Sequence, residues 1–295
     1  FIDLKYLYVE LQTSPYYNPS LNDDPNNLKT GVSNALTQYS RSIDVNKFGG
    51  RFKYSKAVSL IDSIDSSITS NITLVTIRRN LKAVLGQFAQ YEVCYGNMFH
   101  TQESAYNVVS TGFTIEGVTG TVYLADEVIN REKGRIFFFT YTEGGTPNII
   151  KKNAGTVDYM HGEVLIDTVN ILSTSIANNV IEIQAIPHSN DIVGLRDLYV
   201  KFDMTNTTIN MIPDLIASGE NTSGSRFVHT HSYYTPTFTR KSNSPVSTAA
   251  AILPSTASST ATTTTSGTYA SSTSTSTSSS SSTSSSSSSS SGGGY

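Results

Sequence analysis

From Asn107 to Pro187 the chain repeats one pattern, a short apolar run followed by a turn signal. The runs "NVVSTGFTI", "GTVYLAD", "GRIFFFTYTE", "NIIKKNAGTVDY", "GEVLIDTVNI" and "NNVIEIQAIP" recur about every ten residues. Gly117, Gly120, Gly134, the "EGG" at Glu143 to Gly145, Gly155 and the "HG" at His161 and Gly162 punctuate them. Runs this short cannot bury a helical stripe, but they suit strands joined by tight turns. The cadence predicts an antiparallel β-sandwich or barrel over residues 101–200.

The first hundred residues read differently. "IDLKYLYVELQ" alternates like a strand with apolar residues on much of both faces. "SPYYNPSLNDDPNN" is dense in Pro, Asn and Asp and reads as a loop. Leu28, Val32, Ala35, Leu36 and Tyr39 then recur at helical spacing, predicting a helix from about Leu28 to Ser40. Tyr54, Ala57, Val58, Ile61 and Ile64 make the stripe of a second helix. Ser70 to Leu81 is β-branched and alternating, hence a strand, with "QYEVCYGN" as its expected partner. Residues 1–100 thus form a β-α-α-β-β assembly module. The fold class is α+β, and "GLRDLYVKFDM" supplies one more strand returning toward this module.

Beyond it, residues 201–241 read as an extended C-terminal segment. From Ser242 the chain is mostly Ser, Thr, Ala and Gly, ending "SSTSSSSSSSSGGGY". A segment with so little apolar surface cannot offset the entropy of ordering its backbone, so residues 242–295 are expected to be a disordered tail. The net charge of -3 argues against a protein devoted to nucleic acid. A single cysteine, Cys94, excludes an internal disulfide, and no apolar run reaches the length of a membrane span. The chain opens at Phe1 without a methionine and enters an alternating pattern at once, which reads as part of something longer.

The densest chemistry lies in "NKFGGRFKYSK", Asn46 to Lys56. Phe48, Gly49, Gly50, Arg51, Phe52, Lys53 and Lys56 combine a glycine pair with cations and aromatic rings. Three readings fit: a phosphate or nucleic-acid grip, a solvated helix face, or a protein interface in which glycine allows close approach. No Gly-Lys-Ser/Thr follows at phosphate-loop spacing. Other candidate chemistry is thin. His229 and His231 form an "HTH" without a companion carboxylate or cysteine cluster. His188 with Asp191 lacks a nucleophile-elbow context. Glu116, Asp126, Glu127, Asp158, Glu163 and Asp167 are the scattered carboxylates that any β domain carries. The inventory yields no catalytic site, metal, cofactor or small-molecule ligand.

"FGGRFKYSK", "IDSIDSSITSN" and "NVIEIQAIPHSNDIVGLRDLYVKFD" resemble recurrent phrases of the baseplate wedge protein of T-even-type contractile-tailed bacteriophages, in its C-terminal part, with the baseplate J-like proteins as wider relatives. The likeness runs from about Asp3 to Ser218 and leaves out the Ser-rich tail. It implies a scaffold of the virion tail, assembled in the bacterial cytoplasm. Two copies join a second wedge protein, and wedges close through self-contacts into a ring around the hub. The resemblance also implies the interface reading of Phe48 to Lys56. Two other classes stay open: an adhesin or carbohydrate-binding β module on a Ser/Thr-rich stalk, with Tyr233 and Tyr234 as platform, and a polysaccharide-degrading tail enzyme. Deleting Ser242 to Tyr295 is expected to move Tm by less than about 2 °C in a calorimetric melt, and a drop of about 10 °C would assign the tail to the core.

Overall fold

A computed structural model describes residues 5–101 and 106–215. The Ser-rich tail, His229, His231, Tyr233 and Tyr234 lie outside the described residues, as does the segment beyond residue 215.

Strand β1 (Tyr6–Tyr17) continues through "SPYY", which the sequence reads as loop. Pro15 is tolerated there because it falls between the pairings that β1 makes at Gln12–Thr13 and at Tyr16–Tyr17. Helix α1 (Pro25–Ser40) begins three residues before its apolar stripe. Asp24 caps it, its Oδ1 accepting from the amides of Asn26 and Asn27 at 3.0 and 3.1 Å, and Pro25 occupies the first turn. Short strands β2 (Lys47–Phe48) and β3 (Arg51–Phe52) precede helix α2 (Tyr54–Asp62). Asp191 caps α2 from far along the chain, accepting from the Tyr54 amide at 2.8 Å. Strand β4 (Ile68–Lys82) follows.

Next come β5 (Phe88–Cys94), β6 (Val109–Ser110), β7 (Phe113–Ile115), β8 (Tyr123–Val128), β9 (Lys133–Tyr141), β10 (Pro147–Asp158) and β11 (Glu163–Thr174). After a short 3-10 turn, β12 (Val180–Ala185), β13 (Ile192–Val193), β14 (Tyr199–Phe202), β15 (Thr208–Ile209) and β16 (Ile212–Pro213) complete the described chain.

Pairing sets β3 and β13 apart as a two-stranded sheet and divides the other strands into two parts of one large sheet. β1 and β4 run antiparallel along most of their length. The free edge of β4 is taken by β12, and that of β1 by β14, β15 and β16 in succession, all parallel to it. The first module therefore needs strands from residues 180–213 to cover edges that residues 6–82 alone would leave open. Leu7, Val9, Leu11, Val75, Ile77, Ile183 and Val200 face Val32, Leu36, Ala57 and Ile61 of the two helices in one core. In the second part, β8, β9, β10 and β11 form an antiparallel meander. β7 closes it, pairing with β11 and, at Phe113↔Val122, with the chain just ahead of β8. Phe113, Leu124, Ile136, Phe138, Val157, Val164 and Ile171 fill the interior. Phe137 and Phe139 point the other way into a smaller cluster with Val109 and Ala125, with Tyr106, Tyr123 and Tyr141 packed against it. The "FFF" run is apolar on both faces for that reason.

β5 does not pair with β4, as the sequence suggests. It pairs with β11 instead, because β4 already has β1 and β12 on its two edges. The platform and the β ring are joined through β12, which bonds β4 on one side and β6 on the other.

A buried charge cluster sits on the platform face opposite the helices. The Arg78 guanidinium donates to Glu10, to Glu182 at 2.7 Å and to Asp203 at 2.7 Å, and stacks 4.2 Å from the Tyr8 ring centroid. The four charged residues come from β1, β4, β12 and the residue after β14, and all are buried. Burial pushes the Glu10 carboxyl up; Arg78 opposes the rise, while Asp203 and Glu182 add to it. Burial opposes the charge on Arg78 as well, but the surrounding carboxylates hold its pKa above the usual value. In the β ring, Asp126 is fully buried and accepts from the Tyr159 hydroxyl at 2.7 Å and from the amides of Asn107 and Val108 at 2.7 and 2.8 Å. Burial raises its carboxyl too.

Arg78→Leu leaves three carboxylates buried without their cation and is expected to cost about 3–5 kcal/mol in denaturant melts. A carboxyl whose folded pKa lies above its unfolded value contributes most to stability below the unfolded pKa, and that contribution is lost as pH rises through the folded pKa. The native chain should therefore lose stability relative to Glu10→Gln as pH climbs from about 4 toward neutrality. Asp126 acts in the same direction in both proteins and cancels from the comparison.

Candidate assembly interface

The segment Asn46 to Lys56 is held at both ends by strands from far along the chain. β2 pairs with β14, placing Phe48 opposite Tyr199, and β3 pairs with β13, placing Phe52 opposite Ile192 and Arg51 opposite Val193. The Tyr199 hydroxyl donates to the Asn46 carbonyl at 2.7 Å. Gly49 has a φ of 60°, and its amide donates to the Leu198 carbonyl at 3.2 Å. A Cβ on Gly50 would collide with the Val45 carbonyl oxygen, and the Gly194 amide donates to the Gly50 carbonyl at 2.8 Å. The glycine pair thus does permit close backbone approach, but the approach is to this chain's own residues 194–198.

The expected interface residues separate accordingly. Phe52 is not a surface anchor: it is fully buried, 5.4 Å from Phe202 and 5.7 Å from Tyr39 between ring centroids. Alternation along the two-residue strand turns it inward and leaves Arg51 outward. Gly50 is buried as well. Phe48, Arg51, Lys53 and Lys56 are exposed, with Phe48 49% accessible and packed edge-on against Tyr199 at 5.3 Å. Lys56 lies 3.9 Å from Asp44 in a solvent-facing pair worth little. Tyr54 is partly buried, and its hydroxyl donates to the Thr73 carbonyl at 3.0 Å. With Phe52 inside and Tyr54 anchored to β4, the segment does not present the row of free rings that stacks bases.

Two residues join the surface that the sequence reading did not select. Val193 and Leu195 are 45% and 40% accessible. Val193 is fixed by Asn97, whose side chain bonds both its carbonyl and its amide at 2.9 and 3.0 Å. Leu195 packs over Gly96. The signal lies in "DIVGLRD", an apolar run flanked by charges in which Ile192 alone turns inward. The exposed residues of these segments are therefore Phe48, Val193 and Leu195 with the cations Arg51, Lys53 and Lys56, and Arg51 stands opposite Val193 in the β3–β13 pair.

The other candidates have local partners. Glu116 accepts from Asn170 at 2.8 Å, Glu127 pairs with Arg135 at 2.8 Å, and Asp158 contacts His161 at 3.0 Å. Glu92, Cys94 and Glu163 converge closely enough to surround an ion. Burial first, and the bond to Glu92 second, push the Cys94 thiol up to about 11, so the group stands as a neutral thiol. Among the described residues no helix is long and apolar enough to cross a membrane.

The described residues form a mixed sheet with the Arg78 charge cluster buried in it and with exposed apolar and basic residues in the segments 48–56 and 193–195. Residues 5–80, 76 of the chain's 295, match the family model described as baseplate structural protein gp6, C-terminal domain III. The match supports a structural protein of the phage baseplate. It spans β1 to β4, including Glu10 and Arg78, and ends before Glu182 and Asp203. No curated protein matches the chain.

Phe52→Ala is expected to cost about 3–5 kcal/mol of fold stability, whereas Phe48→Ala should cost under about 1 kcal/mol. Gly50→Ala should destabilise by about 1–3 kcal/mol through the clash with Val45. Chemical melts of the three variants separate core from surface, and equal costs for Phe48 and Phe52 would refute the division.

Proposed function

We propose that the chain is a structural component of the baseplate wedge of a contractile phage tail. In this reading it contacts other copies of itself and other wedge proteins. The wedges close into a ring around the hub, and the ring passes on the shape change that precedes sheath contraction. Its place is the tail baseplate of the virion, assembled in the host cytoplasm. The observation that carries the proposal is the family match over residues 5–80. The phrases "IDSIDSSITSN" and "NVIEIQAIPHSNDIVGLRDLYVKFD" support the wedge assignment by resemblance.

The surface of Phe48, Val193 and Leu195 is the contact we assign to assembly. Apolar anchors rimmed by cations suit a protein partner, and truncating such anchors often costs about 2 kcal/mol of binding. Replacing Phe48 and Val193 together by Ala should therefore weaken association with itself or a wedge partner at least tenfold, with little change in melting. Sedimentation of the purified chain, alone and with co-expressed wedge proteins, reads the effect. Mass spectrometry of purified tails tests the location. Detection on the cell surface and absence from tails would defeat the baseplate reading, and unchanged association of the double variant would defeat the surface.

A further inference from the structure

β10 is paired on one side along its length, with breaks at Ile150 and at Lys152 to Ala154, and on the other for only a third of it. Its partner β9 accompanies it from Pro147 to Asp158. β11 meets it only from Gly155 to Asp158, through its residues Glu163 to Ile166, which also pair with β5, and beyond Ile166 it runs on with β5 and β7 as its partners. The pairing with β9 shifts between Ile149 and Lys151 and again before Gly155, so the strand bends away where β11 departs. Every residue from Asn148 to Asn153 is exposed, although all six belong to a strand. Ile149 and Ile150 are 46% and 37% accessible. No further backbone partner satisfies this edge among the described residues.

An open edge of this kind is a template for one more strand. It is about 20 Å long, a common strand length. It contains no glycine or proline between Asn148 and Asn153, and it offers two β-branched side chains. Its charge selects the occupant. Lys151 and Lys152 are adjacent and exposed, they take part in no ion pair among the described residues, and no carboxylate lies between Pro147 and Asp158. Pairing with a second copy would set four ammonium groups within one short ladder about 5 Å wide, and like charges across a ladder are destabilising. Ile149 and Ile150 are neighbours, as are Lys151 and Lys152, and successive side chains of a strand point to opposite faces. The matching strand therefore carries its apolar residues and its carboxylates in pairs, the carboxylates against the two cations and the apolar residues over Ile149 and Ile150.

We propose that residues 147–153 are an acceptor edge for an extended segment of a different polypeptide, one that carries paired apolar residues beside paired carboxylates. The contact is separate from the Phe48 surface and does not depend on the baseplate assignment.

The probe is a labelled decapeptide in which pairs of valines and pairs of glutamates follow one another, with a peptide of paired valines and paired lysines as its counterpart, each titrated onto the full chain. The acidic peptide should bind, and hydrogen exchange should slow at the amides of residues 148–153. The Lys151→Glu/Lys152→Glu variant should lose at least tenfold in affinity for the acidic peptide and gain affinity for the basic one. Its melting should stay unchanged, because both side chains are exposed. Absence of binding, protection elsewhere in the chain, equal binding to native and variant, or an edge already closed by a second copy in sedimentation would each overturn the proposal.

Discussion

The Arg78 guanidinium holds the platform in one arrangement. Among the described residues it is the one cation paired with three buried carboxylates, and each of those stands on a different stretch of chain. A buried ion cluster is a poor source of net stability, since desolvation consumes most of the Coulombic gain. What it supplies is register. A one-residue slip of β1 or β12 against β4 would send Glu10 or Glu182 to the helix side, among Val9, Ile77 and Ile183, and leave Arg78 unpaired. Asp203 extends the constraint to the return strands. Its carbonyl accepts from Thr207, whose hydroxyl accepts from the Leu11 amide and so bridges β14 to β15 along β1.

This arrangement explains how two sequence textures share a sheet. The β ring leaves at Lys82 and returns at Val180, which are paired, and the Ala83 amide donates to the Asn179 carbonyl at 2.8 Å. Departure and return are adjacent, so residues 83–179 form an excursion from a platform whose own edges are completed afterwards. The family match ends at residue 80, next to the point of departure.

Local patterns made much of this legible. The helix stripes of Leu28 to Tyr39 and of Tyr54 to Ile61 (Ile64, read as part of the second stripe, falls past the end of α2), the strand at Ser70 to Leu81, the hairpin cadence and the return of "LYVKF" all rest on local periodicities. The partner of β5 was not legible, because alternation says that a strand has a buried face but not which edge it meets. The start of α1 was hidden because Asp24 and Pro25 signal a turn and a helix cap equally well. In the assembly segment the sequence marked composition, whereas burial depended on distant neighbours: Phe52 is internal because Ile192, Tyr39 and Phe202 surround it, and Val193 is surface because Asn97 fixes its backbone. The β10 edge was invisible for a related reason, since only the end of the β11 pairing leaves the outer edge of Asn148 to Asn153 open.

β12 bonds β4 and β6 through overlapping residues: Ile183 faces Arg79 on one side and Ser110 on the other. The consequence is mechanical. A load applied to the β ring along the strand direction reaches β1 in shear, with several rungs of β12 and β4 strained together. A load across the strands strains those rungs one after another, beginning at Val180 and Lys82. The same joint is therefore stiff to sliding and weak to peeling. The Arg78–Glu182 contact lies close to where the peel begins, so the first rungs to open would soon have to expose a buried ion pair.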